Sequence, residues 1–185
     1  MTATTSDSLT ERLFGDKRKL FWIAAPAALV LDLATKALIY RTGDHPPTPV
    51  IPHLLNFHSA DNTGGVFRLG SGGTHLFIIA SIIAIPVLIY YLLTTERDRI
   101  VPNLGLGMLM GGALGNLYDR VVIGYVRDFI DLYWRDFHWY TFNVADIFIC
   151  VGIGLLFIDA FRPIESEEEE PVIPGRRGRH ERKRR

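Results

Sequence analysis

The chain is 185 residues long, the length of one domain, and 48% of it is hydrophobic, with a mean hydropathy of +0.17. Its 20 basic and 20 acidic residues cancel, so the composition does not favour a highly charged partner, and we expect no nucleic acid. The single cysteine, Cys150, excludes an intramolecular disulfide and a cysteine-built metal cluster.

Four apolar stretches, each about as long as a helix that crosses a bilayer, dominate the sequence. They cover roughly 20–40, 75–93, 102–124 and 142–161, and the third is the least apolar. The first is too long for the apolar core of a cleaved signal peptide and contains Asp32 and Lys36. We therefore predict an all-α membrane protein with four transmembrane helices.

The basic residues predict which side of the membrane each loop occupies, since cytoplasmic flanks are enriched in lysine and arginine. Of the 20 basic residues, 14 lie before the first stretch, between the second and third, or after the fourth. This bias predicts that both termini are cytoplasmic and that loops 41–74 and 125–141 face outward.

The chain divides into a membrane domain, 20–162, and two cytoplasmic tails, 1–19 and 163–185. Loop 41–74 is long for a structureless segment, which predicts a small β-sheet or loop subdomain on the outer surface. Loop 125–141 is rich in Tyr, Trp and Phe, which favours a position at the lipid headgroups. The tail 163–185 is predicted to be disordered, with attraction of its basic end to anionic lipid as the alternative.

Two aspartates lie where the third and fourth stretches meet water on the same side. Asp128 follows the third stretch, and Asp146 is about one helical turn inside the fourth. Two carboxyl groups within hydrogen-bond distance share one proton and can activate a water molecule. The alternative remains open that Asp146 only caps a helix and that Asp128 is an ordinary loop acid.

Other polar or small residues inside the stretches predict helix packing. Gly107, Gly111 and Gly115 share one helix face, which allows a neighbouring helix to come close. Gly112, Asn116 and Arg120 form the adjacent face. We expect Arg120 to point inward at a carboxylate or at carbonyl groups, or alternatively to pair with Asp119 or reach for the surface. Asp32 and Lys36 are four residues apart and form a predicted ion pair.

Several other functions are less well supported by the sequence. It contains neither the HExxH zinc motif nor the GxSxG serine motif. A proton-coupled transporter is an alternative, because acids within membrane helices also relay protons. A non-catalytic membrane scaffold assembled through the face of Gly107, Gly111 and Gly115 is another.

Four motifs in order resemble the bacterial lipoprotein signal peptidases, the signal peptidase II family, over about residues 18–162. They are DLATK at 32–36, NTGGVF at 62–67, GGALGNLYDR at 111–120 followed by VRDFID at 126–131, and FNVAD at 142–146. The resemblance implies that Asp128 and Asp146 are a catalytic pair. It also implies eight supporting or substrate-binding residues: Asp32, Lys36, Asn62, Gly112, Asn116, Arg120, Asn143 and Ala145. The NTGGVF motif departs from the family, since many members have alanine or serine after its first glycine.

The same resemblance implies the substrate and the place of the reaction. The substrate would be a prolipoprotein whose cysteine carries diacylglycerol, cut just before that cysteine at the outer leaflet of the bacterial cytoplasmic membrane. It implies no metal or organic cofactor. The remaining expected partners are membrane lipids, and we expect a monomer.

Overall fold

The computed structural model describes residues 18–41, 46–64, 73–95 and 99–161. Four α-helices lie in these ranges: α1 Lys19–Tyr40, α2 Gly73–Thr94, α3 Ile100–Tyr118 and α4 Val144–Ala160. α3 continues as a π-helical turn, Asp119–Ile123. The predicted tail 163–185 and nearly all of 1–19 lie outside the described residues.

Three helical segments are long and apolar enough to cross a membrane: Lys19–Tyr40, Gly73–Thr94 and Ile100–Ile123. α4 has 17 residues, so it rises about 25 Å, at the short end of the lengths that span a bilayer. It begins two residues after the predicted start, because Phe142 pairs with Ile130 of the sheet and Asn143 caps the helix. The fourth span therefore stays a prediction.

α3 lies between α1 and α4, and glycines on two of its faces permit the close contacts. Toward α1, a Cβ on Gly107 would lie 2.8 Å from the Cβ of Ala24, and one on Gly111 would overlap the Ala25 carbonyl oxygen. Toward α4, a Cβ on Gly112 would lie 2.6 Å from the Ala145 carbonyl oxygen. The backbones are therefore in direct contact, as small residues allow between membrane helices.

A four-stranded antiparallel sheet, in the order β1-β2-β3-β4, covers one end of the helices. The strands are β1 Thr48–Ile51, β2 Leu55–Asn62, β3 Val126–Trp134 and β4 Phe137–His138. The predicted outer subdomain is thus present, but half of its sheet comes from loop 125–141, for which we predicted only a position at the membrane surface. Aromatic and β-branched residues also favour strands, which explains the difference.

The tight contact at Gly111 makes a prediction about stability. We expect Gly111→Ala to lower the free energy of unfolding by about 1–3 kcal/mol, because the added methyl group must push α1 away from α3. The measurement is thermal unfolding of the purified protein in detergent. Gly154→Ala is the matched control, since a Cβ there meets nothing within 4 Å. Equal unfolding temperatures for the two variants would contradict the packing described here.

Candidate active site

Asp146 belongs to the N-terminal cap of α4. Its backbone N–H donates to Asn143 Oδ1 at 3.1 Å, and its Oδ2 accepts from the Asn143 backbone N–H at 3.1 Å. The capping role that the sequence left open is therefore present. The cap uses only Oδ2 of the Asp146 carboxylate. The other oxygen, Oδ1, accepts from Asn116 Nδ2 at 2.9 Å.

Asp128 lies in β3, opposite Ala60 of β2, and is only 2% exposed. Its Oδ1 accepts from Asn143 Nδ2 at 2.6 Å, and its Oδ2 accepts from Asn62 Nδ2 at 2.8 Å. The Tyr40 hydroxyl lies 2.9 Å from the Asp128 carbonyl oxygen. Asp128 is therefore a buried and tightly held carboxyl, which excludes the alternative of an ordinary loop acid.

Two amide side chains connect the two carboxyls. Asn143 donates to Asp128 and also, at 3.1 Å, to Oδ1 of Asn116, which in turn donates to Asp146. Asp128 and Asp146 also line the same cavity. The structure thus brings together the two aspartates that the sequence singled out.

The two carboxyls influence each other electrostatically. Burial, and next the negative charge of Asp146, raise the pKa of Asp128 to about 7. The amides of Asn62 and Asn143 and the charge of Lys36 act in the opposite direction and are outweighed. Asp128 is therefore a carboxyl group that keeps its proton at pH values below about 7.

The cavity beside the pair has a volume of about 570 Å³ and is mostly apolar. Its charged or amide-bearing residues are Asn62, Arg120, Asp128 and Asp146. Apolar side chains from α2, from the segment after β4 and from α4 complete it, including Phe77, Trp139 and Ile147. A long apolar group can therefore lie directly beside two carboxyls.

Arg120 faces this cavity from the π-helical turn. Its guanidinium lies 4.9 Å from the centre of the Phe77 ring, and Nη1 donates to the Asn116 carbonyl oxygen at 3.2 Å. The prediction of an inward guanidinium that bonds a carbonyl group is confirmed. Asp119 forms ion pairs with Lys36 and Arg127 instead. The predicted alternative of an Arg120–Asp119 pair is therefore wrong.

A buried charge network lies behind the amides. Lys36 Nζ contacts Asp32 Oδ2 at 2.8 Å, as the sequence predicted, and also Asn116 Oδ1 at 2.9 Å and Asp119 Oδ2 at 3.2 Å. Asp32 Oδ1 accepts from the backbone N–H of Ala145 at 2.9 Å. The network therefore joins α1 and α3 to the first turn of α4.

Two members of this network were not predicted. Asp119 was considered only as a partner of Arg120, and Arg127 was given no role. Arg127 Nη2 lies 2.7 Å from Asp119 Oδ1, and the Arg127 backbone N–H donates to Asp119 Oδ2 at 3.0 Å. Between them Gly124 has φ +95°, a conformation that favours glycine and turns the chain from the helix into β3. In the sequence, Arg127 is only an arginine three residues after a glycine near a helix end. That pattern is too common to indicate the Asp119–Arg127 ion pair.

The eight residues expected to support the pair all lie around it. Six form the hydrogen-bonded network just described, Arg120 bonds the Asn116 backbone, and Gly112 packs against Ala145. Of the NTGGVF motif only 62–64 is described, so its departure from the family lies outside the described residues. Within the described ranges, no three His, Cys, Asp or Glu side chains are arranged to hold a metal ion.

Comparisons with known proteins agree with these motifs. A family model, Signal peptidase (SPase) II, matches residues 24–162. The lipoprotein signal peptidase of Actinobacillus succinogenes is 38% identical over 153 residues, covering 80% of this chain and 93% of that protein. The one of Geobacter sulfurreducens is 39% identical over 148 residues, covering 78% and 92%.

A solved structure is similar as well. A bacterial membrane enzyme determined by the in meso method at 2.3 Å resolution superposes with a TM-score of 0.72 and 31% identity. The match covers 84% of this chain and 95% of the other. The arrangement of helices and sheet is therefore shared with a known membrane enzyme.

The raised pKa of Asp128 makes a prediction about stability. An unfolded chain ionises this carboxyl near its usual pKa of 3.8, whereas the folded protein retains the proton up to about pH 7. The contribution of Asp128 to the free energy of unfolding therefore falls as pH rises between those two values, and it is constant at higher pH. We expect the difference in unfolding temperature, Asp128→Asn minus the parent, to increase from pH 4 to 7 and to stay constant above pH 7.

The measurement is thermal unfolding in detergent at a series of pH values. Asp136→Asn is the control, because Asp136 is exposed in the turn between β3 and β4. Parallel pH curves for Asp128→Asn and the parent would show that burial does not raise this pKa.

Proposed function

Because the chain belongs to the signal peptidase II family, we propose that Asp128 and Asp146 are the catalytic pair of an aspartic endopeptidase. Family membership makes the protein a membrane protease that removes signal peptides from lipoprotein precursors. It does not favour the transporter or the scaffold. The observation that carries the proposed chemistry is the joint position of two amide-bridged carboxyls on one apolar cavity.

The surroundings of the two carboxyls support a division of roles. Asp128 is the neutral member, since burial raises its pKa to about 7. Asp146 lies in the first turn of α4, where the helix N-terminus favours a negative charge, and it accepts two N–H bonds. Asp146 is therefore the base, and Asp128 is the acid.

The reaction follows from these roles. Asp146 takes a proton from a water molecule between the carboxyls while the water oxygen bonds to the carbonyl carbon of the scissile peptide. Asp128 gives its proton to the carbonyl oxygen, so the tetrahedral intermediate is neutral. When the C–N bond breaks, Asp146 passes its proton to the leaving nitrogen, and Asp128 regains a proton from the hydroxyl group. Both carboxyls end in their starting states.

The cavity supports the proposed substrate, a prolipoprotein whose cysteine carries diacylglycerol and which is cut just before that cysteine. Its apolar wall suits acyl chains or the signal peptide, and Asn62 and Arg120 are the polar groups within reach of a peptide or ester carbonyl. Asn116 and Asn143 orient the carboxyls. Metal ions and organic cofactors have no step in this mechanism.

The ends of the helices support the proposed topology, with the active site at the outer leaflet and both termini cytoplasmic. Tyr40 at the end of α1 reaches Asp128, so the pair and the sheet lie at one end. At the other end Arg18 donates to the carbonyl oxygens of Leu92 and Thr95, and Arg99 pairs with Asp159. Basic residues at that end favour the cytoplasmic side. We propose a monomeric enzyme domain, 20–162, surrounded by lipid, with cytoplasmic tails.

The proposed pair predicts the effect of its removal. We expect Asp128→Asn and Asp146→Asn each to lower kcat for a diacylglyceryl-modified prolipoprotein by at least roughly 10²–10⁴-fold, the usual contribution of a positioned acid or base. The measurement is the release of signal peptide by purified enzyme, with the unlipidated precursor assayed in parallel.

Asp136→Asn is the control and should cut at the parent rate. Parent-like cleavage by either variant at the pair would exclude the aspartic mechanism. Equal cutting of the lipidated and unlipidated precursors would exclude the proposed substrate class.

The proton on Asp128 predicts a pH dependence. Because the acid must be neutral, kcat/KM, which reports the free enzyme, should fall as pH rises through about 7, the pKa of Asp128. Below that value Asp128 keeps its proton, so no loss on its account is expected. The kcat/KM of purified enzyme between pH 5 and 9 tests this, and a flat profile up to pH 9 would assign the acid to another group.

A further inference from the structure

Arg127 immediately precedes Asp128, and the mechanism above gives it no role. Its guanidinium forms a bidentate contact with Asp119, in which Nη2 lies 2.7 Å from Oδ1 and Nε lies 3.3 Å from Oδ2. The Asp119 side chain is completely buried, and that of Arg127 is 13% exposed. An ion pair of this geometry at the edge of the active site holds a specific charge in place.

Lys36 connects this ion pair to the carboxyls. Its ammonium group has three hydrogens, and it has three acceptors: Asp32 Oδ2 at 2.8 Å, Asn116 Oδ1 at 2.9 Å and Asp119 Oδ2 at 3.2 Å. The longest contact is the one to Asp119, whose charge Arg127 shares. Lys36 therefore divides its three hydrogens among Asp32, Asn116 and Asp119, and its position depends on the charge at each of them.

The contact with Lys36 determines which way the Asn116 amide points. Asn116 Oδ1 faces two donors, Lys36 Nζ and Asn143 Nδ2. A flipped amide would direct its NH₂ group at both of them, so Nδ2 must face Asp146. A displacement of Lys36 would remove one of the two constraints on this amide.

We propose that Arg127 is a positioning residue: by binding Asp119, it keeps Lys36 on Asn116 and so keeps the Asn116 amide directed at Asp146. The inference rests on the proposed roles of Asp128 and Asp146. Without the guanidinium, the buried charges are two carboxylates, Asp32 and Asp119, and one ammonium. Lys36 then moves toward Asp119, Asn116 loses a donor, and an unbalanced negative charge stays beside the catalytic pair.

The unbalanced charge acts on the shared proton together with the other titratable groups near the pair. They are Asp32, Lys36 and Tyr40 from α1, Asp61 from β2, Asp119 and Arg120 from the π-helical turn, and Arg127 from β3. Loss of one positive charge from this set makes the proton harder to remove. The fall of kcat/KM at high pH therefore moves to higher pH.

A series of substitutions separates charge from packing. Arg127→Lys keeps the charge, Arg127→Gln keeps a hydrogen-bond donor, and Arg127→Met keeps only the length. We expect Lys to retain kcat within about threefold, and Gln and Met to lose about tenfold with KM little changed. The alkaline fall of kcat/KM should move up by roughly half a pH unit in Gln and Met and stay in place in Lys. The assay uses purified enzyme and lipidated prolipoprotein.

Arg41→Met is the matched control, because Arg41 is exposed at the end of α1. Its kcat and its pH profile should equal those of the parent. The backbone contact of residue 127 to Asp119 remains in every variant, so all should fold, as thermal unfolding in detergent will show.

Three results would overturn the proposal: Gln matching Lys in kcat, an unchanged alkaline limb in Met, or a Met variant that fails to fold, which would make Arg127 a structural residue. These results differ from a failure of the proposed function, which would appear as parent-like cleavage by Asp128→Asn or Asp146→Asn.

Discussion

The proposed active site depends on the orientation of two amide side chains between two carboxyls. Asn143 is oriented by the start of α4, where its Oδ1 must accept the Asp146 backbone N–H. Its NH₂ group is thereby left to bridge Asp128 and Asn116. The cap of one helix thus determines which hydrogen-bond donors reach Asp128. A helix N-terminus has orphan N–H groups that need acceptors, so this arrangement is stable without a substrate.

The glycine contacts of α3 make the charge network possible. Lys36 on α1 can reach Asn116 and Asp119 because Gly111 and Gly115 let α1 approach the α3 backbone, and Ala145 reaches Asp32 because Gly112 lets α4 approach from the other side. Buried charges are costly unless they are paired and hydrogen-bonded, and here Lys36 has a partner for each of its hydrogens. The buried ion network therefore depends on the close packing of the helices.

The sequence predicted the parts of this molecule that follow a local pattern. Apolar length located α1, α2 and α3 with its π-helical turn to within about two residues, and i, i+4 spacing paired Asp32 with Lys36. It did not predict that 126–138 forms half of the sheet, because strand pairing with 48–62 is a long-range contact. The Asp119–Arg127 pair was also missed, since it depends on a left-handed turn at Gly124. The carboxyl pair itself was one of two open alternatives until the motifs were considered together.

The burial that raises the pKa of Asp128 also agrees with the position of the proposed site at the end of the helices. A carboxyl in the middle of the bilayer would have no water to activate, and one in open solvent would lose its proton well below neutral pH. Asp128 in β3 is buried enough to keep a proton below about pH 7, while Asp146 lies in the first turn of α4, where the helix N-terminus favours a negative charge. The different roles proposed for two identical side chains therefore come from the elements that carry them, a strand and a helix end.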